Sequence, residues 1–195
     1  MIHDFQQKLE YSLGAQEKFD ISILKKIFNI DDIQKTTVDV DKTGIDYIAT
    51  LRRGGTINID AKTREPGASK FWNYGEPDLA LEIYSSIPNG SYPGKIGWTL
   101  NEASEVDYVL YTFDKSDSDK FYFLPFQLLR NGFRQRYNEW TKKYFKKYQP
   151  NKGYLSQAVF VPASVVIAEI NRQMTGTAFV KSDNSYSGTK NKRKE

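Results

Sequence analysis

Two short stretches of alternating residues, joined by Arg52-Arg53-Gly54-Gly55, constrain this chain more than any other feature. In Tyr47-Ile48-Ala49-Thr50-Leu51 the odd positions are apolar, and in Thr56-Ile57-Asn58-Ile59-Asp60-Ala61-Lys62 the odd positions Ile57, Ile59 and Ala61 are apolar again. Successive strand residues point to opposite faces, so the spacing predicts a β-hairpin whose odd-numbered face packs on a core. Both odd faces are buried together only if opposed residue numbers sum to an even value, because a slip of one residue turns one strand's apolar set to solvent. A three-residue loop from Arg52 to Gly54, with glycine for the left-handed position, pairs Leu51 with Gly55 and therefore Asp46 with Asp60.

That register has a chemical consequence. Directly opposed residues hold their Cβ atoms roughly 4.5 to 5.5 Å apart, and two carboxylates at that distance repel unless a cation lies between them. Hard oxygen ligands of this kind suit Mg²⁺, which takes one or two protein carboxylates and keeps water or phosphate on its remaining positions. Lys62, two residues beyond Asp60, shares their face and places an ammonium near an attacking water or a scissile phosphate. Read without chemistry, the same three residues are a surface ion-pair cluster, in which two opposed acids are an electrostatic cost with no return.

At these residues the chain resembles the PD-(D/E)xK nuclease superfamily. Gly44-Ile45-Asp46-Tyr47 followed by Ile59-Asp60-Ala61-Lys62 looks like its active-site half, with Ile45 where the name-giving proline would stand. The resemblance implies an α/β fold of restriction-endonuclease type, a mixed central sheet flanked by helices, and metal-dependent hydrolysis of DNA phosphodiester bonds. In that reading Asp46 and Asp60 hold Mg²⁺ or Mn²⁺ with the Ala61 carbonyl, and Lys62 assists the hydrolytic water. Many members add a glutamate on the first helix, and Glu17, in Gly14-Ala15-Gln16-Glu17-Lys18-Phe19, is the position matched to it. The motif residues lie in roughly the first third of the chain.

Length and composition agree with this reading and remove several others. A chain of 195 residues suits one domain over residues 1–180, followed by a basic tail at 181–195 whose Ser, Asn, Gly, Thr and Lys bury too little apolar surface to order themselves. No cysteine is present and the one histidine is His3, which excludes disulfides and thiolate ligation and argues against histidine-based catalysis or zinc. No apolar run approaches the ~20 residues of a membrane span, and the N-terminus turns polar within four residues, so no membrane partner, no secretory signal and a cytoplasmic location are expected.

Charge is distributed unevenly. Residues 1–129 hold 14 Lys or Arg against 20 Asp or Glu, whereas Arg130 to Gln149 hold seven basic residues against Glu139 alone. Phe133, Tyr137, Trp140, Tyr144 and Tyr148 recur every three or four positions, which predicts a long helix over Gln127 to Tyr148 with Arg130, Arg134, Arg136, Lys142, Lys143, Lys146 and Lys147 on its flanks. Spacings of i,i+4 cannot neutralise seven cations with one anion, and a basic stripe beside a metal-binding face suits a phosphate backbone. Arg130, Arg134, Lys142, Lys143 and Lys146, with Arg64 and Lys70 just beyond the motif, are the expected DNA contacts. The alternative is that the aromatics are core and the cations a solvated face.

Around these features the chain reads as an amphipathic first helix on Phe5, Leu9 and Leu13, and a second helical piece after Asp20 carrying Ile21, Leu24, Ile27 and Phe28. Strands are expected at Thr36 to Val40, at the hairpin, at Leu79 to Tyr84, at Val106 to Phe113, at Phe121 to Leu124 and at Tyr154 to Val161. A last helix is expected from Pro162 to about Arg172. Glu82 either joins the metal shell from the same sheet or is an ordinary strand-end acid, and Trp72, Tyr74 and Trp98 either stack on bases or pack under loops. The expected activity is that of a DNA endonuclease, for which a homodimer would suit double-strand cutting. The competing class is a catalytically silent nuclease-like fold that binds DNA or a protein partner.

Overall fold

The computed structural model describes residues 21–37, 44–64, 67, 69, 72, 74–114, 118, 120–151 and 153–183, with side chains described through Thr175 apart from Ile27. In chain order the elements are α1 (Ser22–Ile27), β1 (Ile30–Lys35), β2 (Tyr47–Leu51), β3 (Thr56–Thr63), β4 (Asp78–Ser86), β5 (Lys95–Ile96), a 3₁₀ turn (Trp98–Leu100), β6 (Tyr108–Thr112), β7 (Phe121–Pro125), α2 (Phe126–Lys143), β8 (Phe145–Asn151), β9 (Tyr154–Pro162) and α3 (Ala163–Asp183). The first predicted helix, the Asp20 cap, Val40 and the residues from 184 lie outside the described residues.

The architecture is mixed α/β with two sheets. Five strands follow the order β1-β2-β3-β6-β7, and four follow β5-β4-β9-β8. In the first sheet β3 and β6 run parallel while the other neighbours are antiparallel. A parallel pair needs a long crossover, and here the crossover carries β4 and β5 into the second, antiparallel sheet.

The hairpin of β2 and β3 has the register that its alternation requires. Tyr47 pairs with Ile59, Ile48 with Asn58, Ala49 with Ile57 and Thr50 with Thr56, so opposed numbers sum to an even value, but the register breaks at Asp46, whose amide bonds the Ile59 carbonyl at 2.9 Å in place of the expected pairing with Asp60. The turn closes through the Leu51 amide on the Gly55 carbonyl at 3.0 Å, with Gly54 and Gly55 both in the left-handed region. Tyr47, Ala49, Ile59 and Ala61 pack with Leu24, Ile30 and Leu110 into a small core on the odd face. On the other face Asp60 lies beside Val109 and Lys62 beside Tyr111. Val109 and Tyr111 belong to the larger core, which joins β4, β9, α2 and α3. The even face of β3 is therefore turned toward the second sheet.

Three expectations are corrected. The helix predicted over Gln127 to Tyr148 is Phe126–Lys143, and the chain goes extended at Tyr144 (φ −104°, ψ 157°) to form β8. Tyr144 and Tyr148 are spaced for a helix but also alternate, and long-range pairing with β9 decides for the strand: Phe145 pairs with Phe160 and Asn151 with Tyr154 around a turn containing Gly153 at φ 85°. Of the strand expected at Thr36 to Val40, Thr36 and Thr37 are not strand and residues 38–40 lie outside the described residues, and the strand in this region is Ile30–Lys35. Its Asp31-Asp32 and Gln34-Lys35 are poor strand formers held by pairing with β2, and Thr36 extends the contact by donating its amide to the Asp46 carbonyl at 2.9 Å. The last helix runs on past Arg172 to Asp183. Among the described residues no helix is long and apolar enough to cross a membrane.

Candidate active site

Strand β3 positions two of the three motif residues and the end of β2 positions the third. Just before β2, Asp46 donates its amide to the Ile59 carbonyl at 2.9 Å, so Asp46 and Tyr47 both face Ile59 and the ribbon bulges at the acid. Its carboxylate bends across to β3, where Oδ2 accepts the Ala61 amide at 2.5 Å. That amide belongs to the peptide between Asp60 and Ala61, so the Asp46 carboxylate lies against the strand beside Asp60. In an extended strand a residue's N–H and C=O leave on the same side, so the Ala61 carbonyl shares the edge that faces Asp46.

Asp60 is 4% exposed, an unusual depth for a carboxylate. Its partner is Lys62, whose Nζ lies 2.5 Å from Asp60 Oδ1. The Lys62 side chain as a whole remains 33% exposed. Burial alone would push its pKa down, but the charges of Asp60, Asp46 and Glu82 and the hydrogen bond to Asp60 outweigh that and hold it above the ordinary lysine value. Lys62 is therefore an ammonium ion at neutral pH and not a free amine base.

The second sheet supplies the opposite wall. Glu82 lies on β4, not on the sheet of Asp46 and Asp60 as expected, and its Oε2 accepts the Trp98 amide at 3.2 Å. The Trp98 ring lies 5.8 Å from Lys62 Nζ. Gly97 makes this approach possible: a Cβ there would lie 2.4 Å from the Glu82 carbonyl oxygen. Nothing in the sequence marked Trp98 as a neighbour of Lys62, because the contact joins two sheets.

Just past Lys62, Arg64 is drawn inward. Its Nη2 lies 3.1 Å from Asp78 Oδ1, and its guanidinium stacks 4.7 Å from the Phe160 ring. Asp78 is fully buried, and burial raises its carboxyl pKa, against the opposing pull of Arg64, to about 6. A carboxyl that is harder to ionise in the fold than in the unfolded chain stabilises least when ionised. Its contribution is therefore greatest below about pH 4 and falls as pH rises toward 6. At roughly 1.4 kcal/mol per unit, this amounts to at most about 3 kcal/mol. Thermal unfolding of Asp78→Asn against the parent chain between pH 4 and 6 is expected to show a smaller loss of stability in the variant, and parallel curves would refute the assignment.

The other candidates are scattered. Glu17 and Lys70 lie outside the described residues. Arg130 donates to the Asn101 carbonyl at 2.7 Å and to Gln127, and Arg134 pairs with Glu102 at 2.6 Å. Arg136 pairs with Glu139 and with Glu169, which also binds Arg172. Distant acids thus meet Arg134 and Arg136, a solution that helical spacing does not reveal. Lys142 and Lys143 lie exposed at the end of α2, and Lys146 and Lys147 lie exposed on β8, without an ion pair among the described residues. Trp72 packs edge-on to Phe113.

The site offers two carboxylates and a strand carbonyl as hard oxygen donors. Among the described residues no three His, Cys, Asp or Glu side chains converge to hold an ion by themselves. Such a donor set fits Mg²⁺ or Mn²⁺, which fill their shells with water and substrate phosphate, and it does not fit an ion that needs an all-protein cage. No protein-family model matches the chain, and comparison with curated proteins and with solved structures finds no match.

Proposed function

We propose that this protein is a metal-dependent DNA endonuclease with a restriction-endonuclease-like fold, in which Asp46, Asp60 and Lys62 form the catalytic group. The observation that carries the reading is that the Asp46 carboxylate reaches across the hairpin to the Ala61 amide, between a buried Asp60 and the Lys62 ammonium that Asp60 holds. Mg²⁺ or Mn²⁺, when bound, would supply an activated water and neutralise charge on the scissile phosphate. Asp46 and Asp60 would hold it with the Ala61 carbonyl, and Glu17 belongs to the same proposal.

Lys62 does the rest. Held as an ammonium by its acidic neighbours, it donates hydrogen bonds to the attacking water and to a non-bridging phosphate oxygen, stabilising negative charge as it grows during in-line attack. Asp60 fixes its direction through the 2.5 Å contact. Trp98 and Glu82 close the wall behind it and limit water access. DNA as substrate and a homodimeric assembly for double-strand cutting are parts of this proposal.

Incubation of the purified chain with plasmid and branched DNA and Mg²⁺ or Mn²⁺ is expected to yield cleavage that Asp60→Asn lowers by about a thousandfold or more. Absence of cleavage by the parent chain across these substrates would overturn the proposal. One observation favours a second reading, a silent nuclease-like binding module: Lys62 holds one Asp60 oxygen as a close ion pair, which satisfies that carboxylate from within the chain. Calorimetry separates the two, since Mn²⁺ uptake lost in Asp46→Ala belongs to the enzyme and no uptake by the parent chain belongs to the module.

A further inference from the structure

Strand β8 is the last strand of its sheet, and four residues of the β8–β9 ribbon carry large apolar side chains into solvent: Phe145 (49% exposed), Tyr148 (56%), Tyr154 (41%) and Leu155 (46%). Lysines interleave with them. From Thr141 to Ala168 the sequence holds five lysines and no carboxylate. Lysine on an edge strand also blocks edge-to-edge aggregation, but that role calls for charge alone and is undercut by half-exposed rings beside it.

The register sorts these residues by face. Phe145, opposite Phe160, shares its face with Lys147 and, across the ribbon, with Tyr154. Phe160 in turn pairs with Ala80 on β4, whose face also carries Asp78 and Glu82. Lys146 and Tyr148 point to the opposite side, where Val159 packs into the helical core. Phe145 and Phe160 rings lie 5.7 Å apart, and Arg64, two residues beyond Lys62, stacks on Phe160. Arg64, two residues along the chain from the catalytic lysine, thus contacts Phe160, which contacts an exposed ring, and from there the ribbon runs past Lys147 to Tyr154. At about 3.4 Å per residue, Phe145 and Tyr154 stand roughly 20 Å apart.

Rings exposed on a narrow ribbon have nothing to stack on in a duplex, whose base faces are covered, whereas an unpaired strand presents a base face at every nucleotide. We infer that the Phe145, Lys147 and Tyr154 face of the β8–β9 ribbon is a track for single-stranded DNA leading into the Asp46–Asp60–Lys62 site. The substrate of the proposed nuclease is then DNA with an unpaired arm, such as a flap or a 5′ or 3′ overhang. This inference rests on the nuclease reading for its choice of DNA, and its test is a binding measurement that needs no cleavage.

Fluorescence anisotropy of the full chain in EDTA, with a labelled dT20 strand, the matching duplex and the matching RNA, reads it directly. Expected are tighter binding of the single strand than of duplex or RNA, and about tenfold weaker binding for Phe145→Ala and for Tyr154→Ala. Lys147→Ala should reduce the slope of log affinity against log salt by about 0.7. Tyr148→Ala, equally exposed on the other face, should bind as the parent does. Equal binding of single strand and duplex, preference for RNA, or an equal loss in Tyr148→Ala would overturn the track. Binding that behaves as expected in a chain that cuts no DNA would leave the track standing and sink the nuclease.

Discussion

Replacing Lys62 by methionine is expected to lower the rate of Mg²⁺-supported DNA cleavage by about a thousandfold while leaving the site walls in place. Methionine keeps most of the apolar stem and removes the ammonium that lies over Trp98, meets Asp60 and senses Asp46 and Glu82. A preorganised charge aimed at a developing oxyanion is commonly worth about 10² to 10³ in rate, and the lost orientation of water adds to that. The variant carries a second signature. Asp60 is left buried without its cation, which costs about 1 to 3 kcal/mol, the lower end being appropriate because Lys62 is a third exposed. The raised Lys62 pKa means its contribution is complete below about pH 10 and fades only in strong alkali, so the loss is fully visible at pH 7. Added Mg²⁺ should raise the melting temperature of the variant more than that of the parent, because the ion replaces the missing charge. Unchanged cleavage in Lys62→Met would remove the lysine from the mechanism.

Phe133→Ala is expected to cost about 3 to 5 kcal/mol of unfolding free energy, measured by urea denaturation. Phe133 is fully buried on α2, with Tyr137 at 5.8 Å and Trp140 at 6.0 Å between ring centroids. It lies in the core that ties the second sheet to the helices, so the loss is felt by the wall that carries Glu82. A cost below 1 kcal/mol would show that this core relaxes around the deletion.

What the sequence made legible was local. The hairpin register follows from two alternating stretches and one glycine-bearing turn, and it puts Asp60 and Lys62 on one face, whereas Asp46 reaches β3 from a bulge that the alternation does not reveal. Long-range pairing was hidden. Tyr144 and Tyr148 fit a helix as well as a strand until Tyr154 to Pro162 is seen to pair with them, although Pro150-Asn151-Lys152-Gly153 was a turn signal in plain view. Glu82 and Trp98 reach the site only because a second sheet folds over the first. Arg134 looks uncompensated along the chain because Glu102 comes from elsewhere, as does the Glu169 that meets Arg136, whereas Lys146 and Lys147 truly lack carboxylate neighbours in sequence.

The parallel pairing of β3 with β6 has a kinetic meaning. Both carboxylates and the lysine belong to one ribbon, so they come together as soon as a short turn closes, within microseconds on the usual scale for hairpins. Their roof cannot follow until the chain between Thr63 and Tyr108 has built β4 and returned to lie beside β3, a slow, high-contact-order step. During that interval the acidic pair stands open to water, and the molecule acquires its enclosed site only as the last sheet docks.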